Sequence, residues 1–328
     1  MATVRDVAAR VGVSVSTVSR ALTMPHMVNA ATRAKVLAAA EELGYQPNIA
    51  ARGLRSGVTN NIGLVIPDIE NPYFAAVTKG VQDRARTAGF AVFVADSDED
   101  PRLEEAVVSS IAKQVDGLIL ASPRADEERV IAATGGKPTV VLNRRFDGTP
   151  SLLIDNAGGI DQALDHLRAL GHRRVAYAAG PAASWSGSER IREVRRYAEA
   201  HDDVEIVELG NFRPYVTGGY QAADLAVAAE ATALFAYNDL VAIGALERLR
   251  NRGIDVPGDM SVVGFDNVSF AELTYPTLTT VDIPLRALGK RGVDALTRHV
   301  AGDDAASGDM ISSVELRIRQ STAPPADH

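Results

Sequence analysis

Apolar residues recur at helical spacing through the first 45 positions, then gather from Ile62 onward into short continuous runs. In the first stretch Val4, Val7, Ala8 and Val11 stand at i, i+3, i+4 and i+7, which predicts a helix capped by Thr3. Gly12 ends it and permits a tight turn, and Ser14 is placed to cap a second helix running to about Leu22. In that helix Val18 and Leu22 face inward, while Val15, Ser16, Ser19 and Arg20 are free to face outward. Asn29 caps a third helix whose inner face is Val36, Ala40 and Leu43, and Gly44 stops it. Two short helices joined by a Gly-containing turn match the helix-turn-helix unit, whose second helix enters the DNA major groove.

QPNIAARGLRSG (46–57) follows; Asn48 could cap a short helix from Ile49 to about Arg55, which Gly53 and Gly57 weaken. Alone in water such a segment is only marginally helical. The pattern then changes to apolar runs at 62–67, 91–96, 116–121, 138–143, 174–179, 205–210, 233–238 and 261–266. Amphipathic stretches at 72–88, 102–114, 159–170, 217–229 and 239–251 separate them, which predicts parallel sheets covered on both faces. Eight such units fit two doubly wound halves, with a closed eight-stranded barrel as the competing arrangement. After TLTTVDIP (277–284) come a helix at 285–300, a polar DDAASGD loop and a strand SVELRIR (313–319). The tail STAPPADH (321–328) reads as disordered.

At 328 residues, 46% apolar and 23% charged, the chain has the composition of a folded soluble protein of two or three domains. No apolar run reaches the roughly 18 residues a membrane helix needs, and no signal core stands at the N-terminus, so a cytoplasmic location is expected. There is no cysteine, hence no disulfide, thiolate metal site or thiol chemistry. The charge is uneven. Residues 1–60 hold seven Lys/Arg against Asp6, Glu41 and Glu42, a net of +4, whereas the rest carries 27 basic and 39 acidic groups. That asymmetry suggests a basic nucleic-acid module joined to an acidic body. Screening over about 8 Å at physiological salt lets the two act nearly independently.

Enzyme signatures are missing. AYAAGPAAS lacks G-x-G-x-x-G spacing, no serine sits in a G-x-S-x-G elbow, and the six histidines form no i, i+4 metal pair. No catalytic residue, metal site or cofactor is therefore expected.

TVRDVAARVGVSVSTVSRAL, TRAKVLAAAEELGYQPNIAARGLRSG, IGLVIPDIENPYF, YNDLVAIGAL, SVVGFDN and TYPTLTTVD, in this order and spacing, resemble the LacI/GalR family of bacterial transcription regulators over nearly the whole chain. The resemblance implies an all-α helix-turn-helix headpiece (1–45), a hinge helix or linker (46–60) and an α/β effector-binding and dimerisation domain (61–328). That domain has the two-lobed shape of periplasmic binding proteins, an N-lobe of about 61–157 and 285–312 and a C-lobe of about 158–284 and 313–322. The implied protein is a homodimer that represses from a pseudo-palindromic operator in double-stranded DNA. Its tail lacks the leucine heptads of tetrameric members.

The positions matching the family's base-reading residues are Val15, Ser16 and Arg20. Arg20 can offer a fork to guanine, Ser16 can bond several bases, and Val15 can touch a thymine methyl. Thr3, Ser14, Thr17, Ser19, Asn29 and Thr32 suit phosphate contacts, with helix capping as the competing role. The resemblance implies that paired hinge helices push Leu54 between base pairs in the minor groove, with Arg52 and Arg55 on phosphates.

Ligands of doubly wound lobes bind where strand C-terminal ends meet a shared crevice. Asn71, Tyr73, Phe74, Asn143, Arg144, Asn238 and Asp266 fall at such ends, and Asp282 at a crossover. SWSGSER adds Trp185, the only tryptophan, and Arg190. All but Trp185 also match ligand-contacting positions of the family. Aromatic faces ringed by Arg, Asn and Asp suit a sugar effector, expected to act as an inducer. A purine-like corepressor, control by a protein partner, and a non-regulatory solute-binding protein are the alternatives. Glu193 and Val194 stand where the family often has a glycine and an aromatic, and Asn143 where it often has aspartate, so the ligand is left open.

Overall fold

The computed structural model describes residues 2–24, 27–45, 59–302 and 310–326, and the chain divides into two compact units between Thr59 and Asn60. The first unit holds helices α1 (Val4–Val11), α2 (Val15–Thr23) and α3 (Ala30–Glu42). Gly12 adopts φ 73°, a left-handed conformation that costs glycine least, and so closes α1. The Ser14 side chain accepts from the Thr17 N–H to start α2, and Asn29 accepts from Thr32 N–H to start α3. Val7, Val18 and Val36 are wholly buried among Ala8, Ala21, Ala39 and Ala40. Small side chains at these positions let three short helices approach closely around one point.

The second unit contains two open six-stranded sheets. One runs in the order β11-β5-β4-β3-β1-β2, from Met310–Ser312, Ser151–Ile154, Thr139–Leu142, Gly117–Ala121, Asn61–Ile66 and Ala91–Asp96. The other runs β12-β10-β9-β8-β6-β7, from Glu315–Arg317, Thr279–Asp282, Ser261–Asp266, Ala233–Ala236, Arg174–Ala179 and Glu205–Asn211. Every pairing is parallel except β10 with β12. The closed barrel is thereby set aside. Strand order reverses at β1 in one sheet and at β6 in the other, and such switch points open crevices at strand C-terminal ends.

Helices α4 (Pro72–Ala88), α5 (Pro101–Ala112), α6 (Glu127–Ala133) and α11 (Leu285–Val300) accompany the first sheet; α7 (Asn156–Ala169), α8 (Trp185–Ala200), α9 (Val216–Ala228) and α10 (Asp239–Asn251) accompany the second. A Cβ on Gly289 of α11 would fall on the Val77 carbonyl oxygen of α4, so this crossing requires glycine.

Three expectations change. Strand β5 and helix α6 were not separated from their surroundings by periodicity, being only 4 and 7 residues long. The expected strand at 313–319 is shortened to Glu315–Arg317, which extends the second sheet, and an unforeseen strand just before it, Met310–Ser312, extends the first, because the chain crosses between lobes there. The tail begins ordered. Ser321 is fully buried, donates to Val262 O (2.6 Å) and accepts from Thr279 N (2.8 Å). The Ala323 carbonyl lies 2.9 Å from His172 Nε2. Proline and small polar residues suggested disorder, but these specific bonds hold the segment to the second sheet.

Candidate functional site

On the first unit, α2 turns Val18 and Ala21 into the core and leaves Val15, Ser16 and Arg20 exposed on its outer face. Thr17 and Ser19 are half-buried beside them. An exposed valine, 38% accessible, at the start of a small helical unit is apolar surface with nothing of its own unit to cover it. Ser14 and Asn29 serve as caps, and at the start of α1 the Asp6 carboxylate accepts from the Thr3 N–H (2.7 Å) and Oγ1 (2.8 Å). Arg52, Leu54 and Arg55 lie outside the described residues.

The second unit has a narrow, nearly closed cleft between the strand ends of its two sheets. Seven expected residues line it: Asn71, Tyr73 and Phe74 after β1, Asn143 after β4, Arg190 from α8, Asn238 after β8 and Asp266 ending β9. Asn71 also caps α4, accepting from Tyr73 N–H at 3.0 Å, so one side chain starts the helix and faces the cleft. Tyr73 and Phe74 are buried edge to face, ring centroids 4.9 Å apart. Asn143, at φ 56°, donates from Nδ2 to Ser122 Oγ (3.1 Å). Its Oδ1 and the Tyr73 hydroxyl are buried without a hydrogen-bond partner. Buried polar atoms are nearly always satisfied, so two orphans in one cleft mark a place built for something else to bond.

The opposite wall is ionic. The Arg190 guanidinium, 2% exposed, donates from Nε to Asn156 Oδ1 (3.0 Å) and from Nη1 to the Tyr237 carbonyl (2.6 Å). It lies 3.6 Å from the Phe265 ring centroid, and its Nη2 is 3.7 Å from Asp266 Oδ1. Burial pushes the Asp266 carboxyl well above the ordinary carboxylate range, opposed by Arg190 and reinforced by the charge of Asp239. Asp239 is raised as well, by burial, against hydrogen bonds from the Thr280 hydroxyl (2.5 Å) and the Val268 N–H (2.8 Å). Asp266 adopts φ 115°, and Ser122 φ 49°. Backbone strain of this kind gathers where a side chain must be held in one direction.

Three expected residues are elsewhere. Arg144 turns back to donate to the carbonyls of Pro123 and Ala125, both at 2.8 Å, and covers the Phe146 ring. Asp282 accepts from Arg317 Nε at 3.1 Å across the β10–β12 pairing. Trp185 sits one position before Ser186 on α8, about 100° around the helix, and so faces away from the cleft. Conversely Glu99, Ser122, Arg124, Ser186, Pro214 and Tyr237 line it unforeseen. Ser122 and Arg124 follow the end of β3 as Asn143 follows β4, so the same strand-end logic could have found them. Arg124 is held in a fork by Glu99, at 2.7 and 2.9 Å. Val194 is buried and Glu193 pairs with Arg196 at 2.7 Å; neither lines the cleft.

Residues 3–48 match the model of bacterial regulatory proteins of the lacI family, and residues 164–322 that of a periplasmic binding protein-like domain. The HTH-type transcriptional regulator DegA of Bacillus subtilis (strain 168) is 33% identical over 332 residues, 98% of each chain. The chain belongs to the lacI family. Among solved structures, this family member is similar to the lac repressor dimer bound to operator and the anti-inducer ONPF, with TM-score 0.89 and 30% identity over 98% of this chain and 99% of that one. It is also similar to the transcriptional regulator CelR in complex with cellobiose, with TM-score 0.72 and 29% identity over 98% and 100% of the two chains. As a lacI-family member it is a DNA-binding transcriptional repressor with an effector-binding domain, not an enzyme. Among the described residues no helix is long and apolar enough to cross a membrane.

Proposed function

We propose that the cleft of this repressor takes a sugar, and that occupancy changes its affinity for a pseudo-palindromic operator. The carrying observation is the pair of unpartnered buried atoms, Asn143 Oδ1 and the Tyr73 hydroxyl, in a cleft whose other wall is Arg190 and Asp266. A ring bearing several hydroxyls can donate to one wall and accept from the other. The rings of Phe74 and Tyr237 offer apolar surface to its C–H faces. CelR, as a cellobiose complex, lends support from a relative.

As it stands the cleft has free space for about one water molecule, well short of a small-molecule site. A sugar entering it must therefore part the lobes or repack their side chains, and lobe movement is the means by which ligand and operator affinities become linked. The reading is induction: sugar weakens operator binding. Val15, Ser16 and Arg20 read base edges from the exposed face of α2, while Thr3, Ser14, Thr17, Ser19 and Asn29 lie along phosphates. Arg52, Leu54 and Arg55 complete the interface in the hinge. The repressor acts in the cytoplasm as a homodimer, a reading supported by exposed Leu273 (78%) and Tyr275 (85%) on one lobe and Phe93 (42%) on the other.

Calorimetric titration of the full chain with a panel of mono- and disaccharides tests the ligand class. One sugar is expected to bind saturably, and Asn143→Gly to weaken it by about tenfold, the worth of one good hydrogen bond in a sealed site. Heat from no member of the panel, or binding indifferent to Asn143→Gly, would contradict the reading.

A further inference from the structure

Helix α8 has two working faces. Ser186 and Arg190 look into the cleft, whereas Trp185, Glu189 and Arg192 share a neighbouring stripe that borders a separate open hollow of about 390 Å³. The other wall of the hollow is aliphatic: Leu153 and Ile154 at the end of β5, and Ile311 of β11, 63% exposed. Its base is the segment Asp155–Ala157, where the chain passes from one sheet to the other. The Asp155 N–H donates to the Ser312 carbonyl at 3.0 Å, which ties this crossing to the one between β11 and β12. The hollow therefore sits on the strands about which the lobes must turn.

We propose that this hollow is a second ligand site, taking a neutral planar heteroaromatic of the nucleobase type, and that its occupancy bears on the cleft through Asn156 and Arg190. Indole surface on one side and aliphatic side chains on the other suit a flat ring. The rim is polar and of mixed charge, with Arg145 and Arg192 beside Asp155, Glu189 and Glu193. Arg192 bonds Glu189 and lies 3.5 Å from Glu193, which also bonds Arg196 at 2.7 Å. Because these charges already have counter-charges, a charged ligand gains little from them. A ring edge that alternates donors with acceptors can instead bond a carboxylate and a guanidinium side by side. Asn156 lines the hollow while its Oδ1 accepts from Arg190 Nε at 3.0 Å, so a single side chain separates the two sites. A ligand that shifts Asn156 shifts the guanidinium facing Asp266.

Trp185 is the only tryptophan, so its fluorescence reports on the hollow. Adenine is the probe. Saturable quenching is expected in the full-length wild type and equally in Asn143→Gly, a variant of the far wall of the cleft. By calorimetry, Glu189→Gln and Trp185→Ala should each bind adenine about tenfold more weakly, the loss of one stacking or hydrogen-bonding contact. Circular dichroism of both variants checks that they fold. Saturating adenine is also expected to shift the dissociation constant of the cleft's sugar severalfold. That last effect rests on the sugar reading; adenine binding does not, so the two can fail separately. Absence of saturable quenching, or its loss in Asn143→Gly, would place adenine nowhere or in the cleft and overturn the second site. An unchanged sugar constant under saturating adenine would overturn the coupling.

Discussion

Asn143 separates holding the fold from binding a ligand. Its φ of 56° is a conformation that glycine adopts freely, and one side-chain hydrogen bond, to Ser122, is all it gives the lobe. Replacing it removes a buried orphan acceptor, so little stability should go with the ligand. Asp266 and Asp239 are the opposite case. Burial holds both carboxyls above the ordinary carboxylate range, so the native chain keeps protons that the unfolded chain releases. In the window from about pH 4, the unfolded value, up to the raised native values, the unfolded state binds fewer protons, and stability falls as pH rises. Urea unfolding at about pH 5 and about pH 8 should show the effector domain less stable at the higher pH, other groups aside. Asp239→Asn should flatten that slope; an unchanged slope would mean that Asp239 does not carry it.

Among elements, what could be read from the chain divides by length and by phase. The stretch expected at 72–88 is α4 as found, because Pro72 at its start, Gly89 after its end and an apolar stripe all point the same way. Strand β5, with four residues, carries no period of its own and became visible only through its pairing with β4 and β11. Site residues followed the same division. Asn143, Asn238 and Asp266 lie in the cleft, whereas Arg144 and Asp282, also at strand ends, do not, since a strand end fixes where a side chain starts and not where it turns. Trp185 needed the phase of α8, and Arg144 the competing carbonyls of Pro123 and Ala125, neither of which is local in sequence. The α4–α11 crossing yields an element-scale test. Gly289→Ala would press a methyl onto the Val77 carbonyl, with overpacking costs of about 1–3 kcal/mol. A lowered melting temperature for the effector domain is expected, and an unchanged one would show that the helices can part freely.

For the whole molecule, the uneven charge reflects two tasks. A net of +4 in the first 60 residues accompanies a unit that meets a polyanion, while the 39 acidic groups beyond belong to the unit that carries the cleft. An acidic chain can thus be a DNA-binding protein, because its net positive and net negative charge sit in different compact units. On the proposed function, a sugar in the cleft of one unit governs what the other does on DNA. Fluorescence anisotropy of an operator fragment, selected from random duplexes by the protein itself, measures this directly in the presence of the sugar found by calorimetry. Operator affinity is expected to fall about tenfold or more with sugar in the wild type, the usual size of an allosteric coupling, and to be indifferent to it in Arg190→Ala. An operator affinity that ignores the sugar in the wild type, or responds to it fully in Arg190→Ala, would contradict the account.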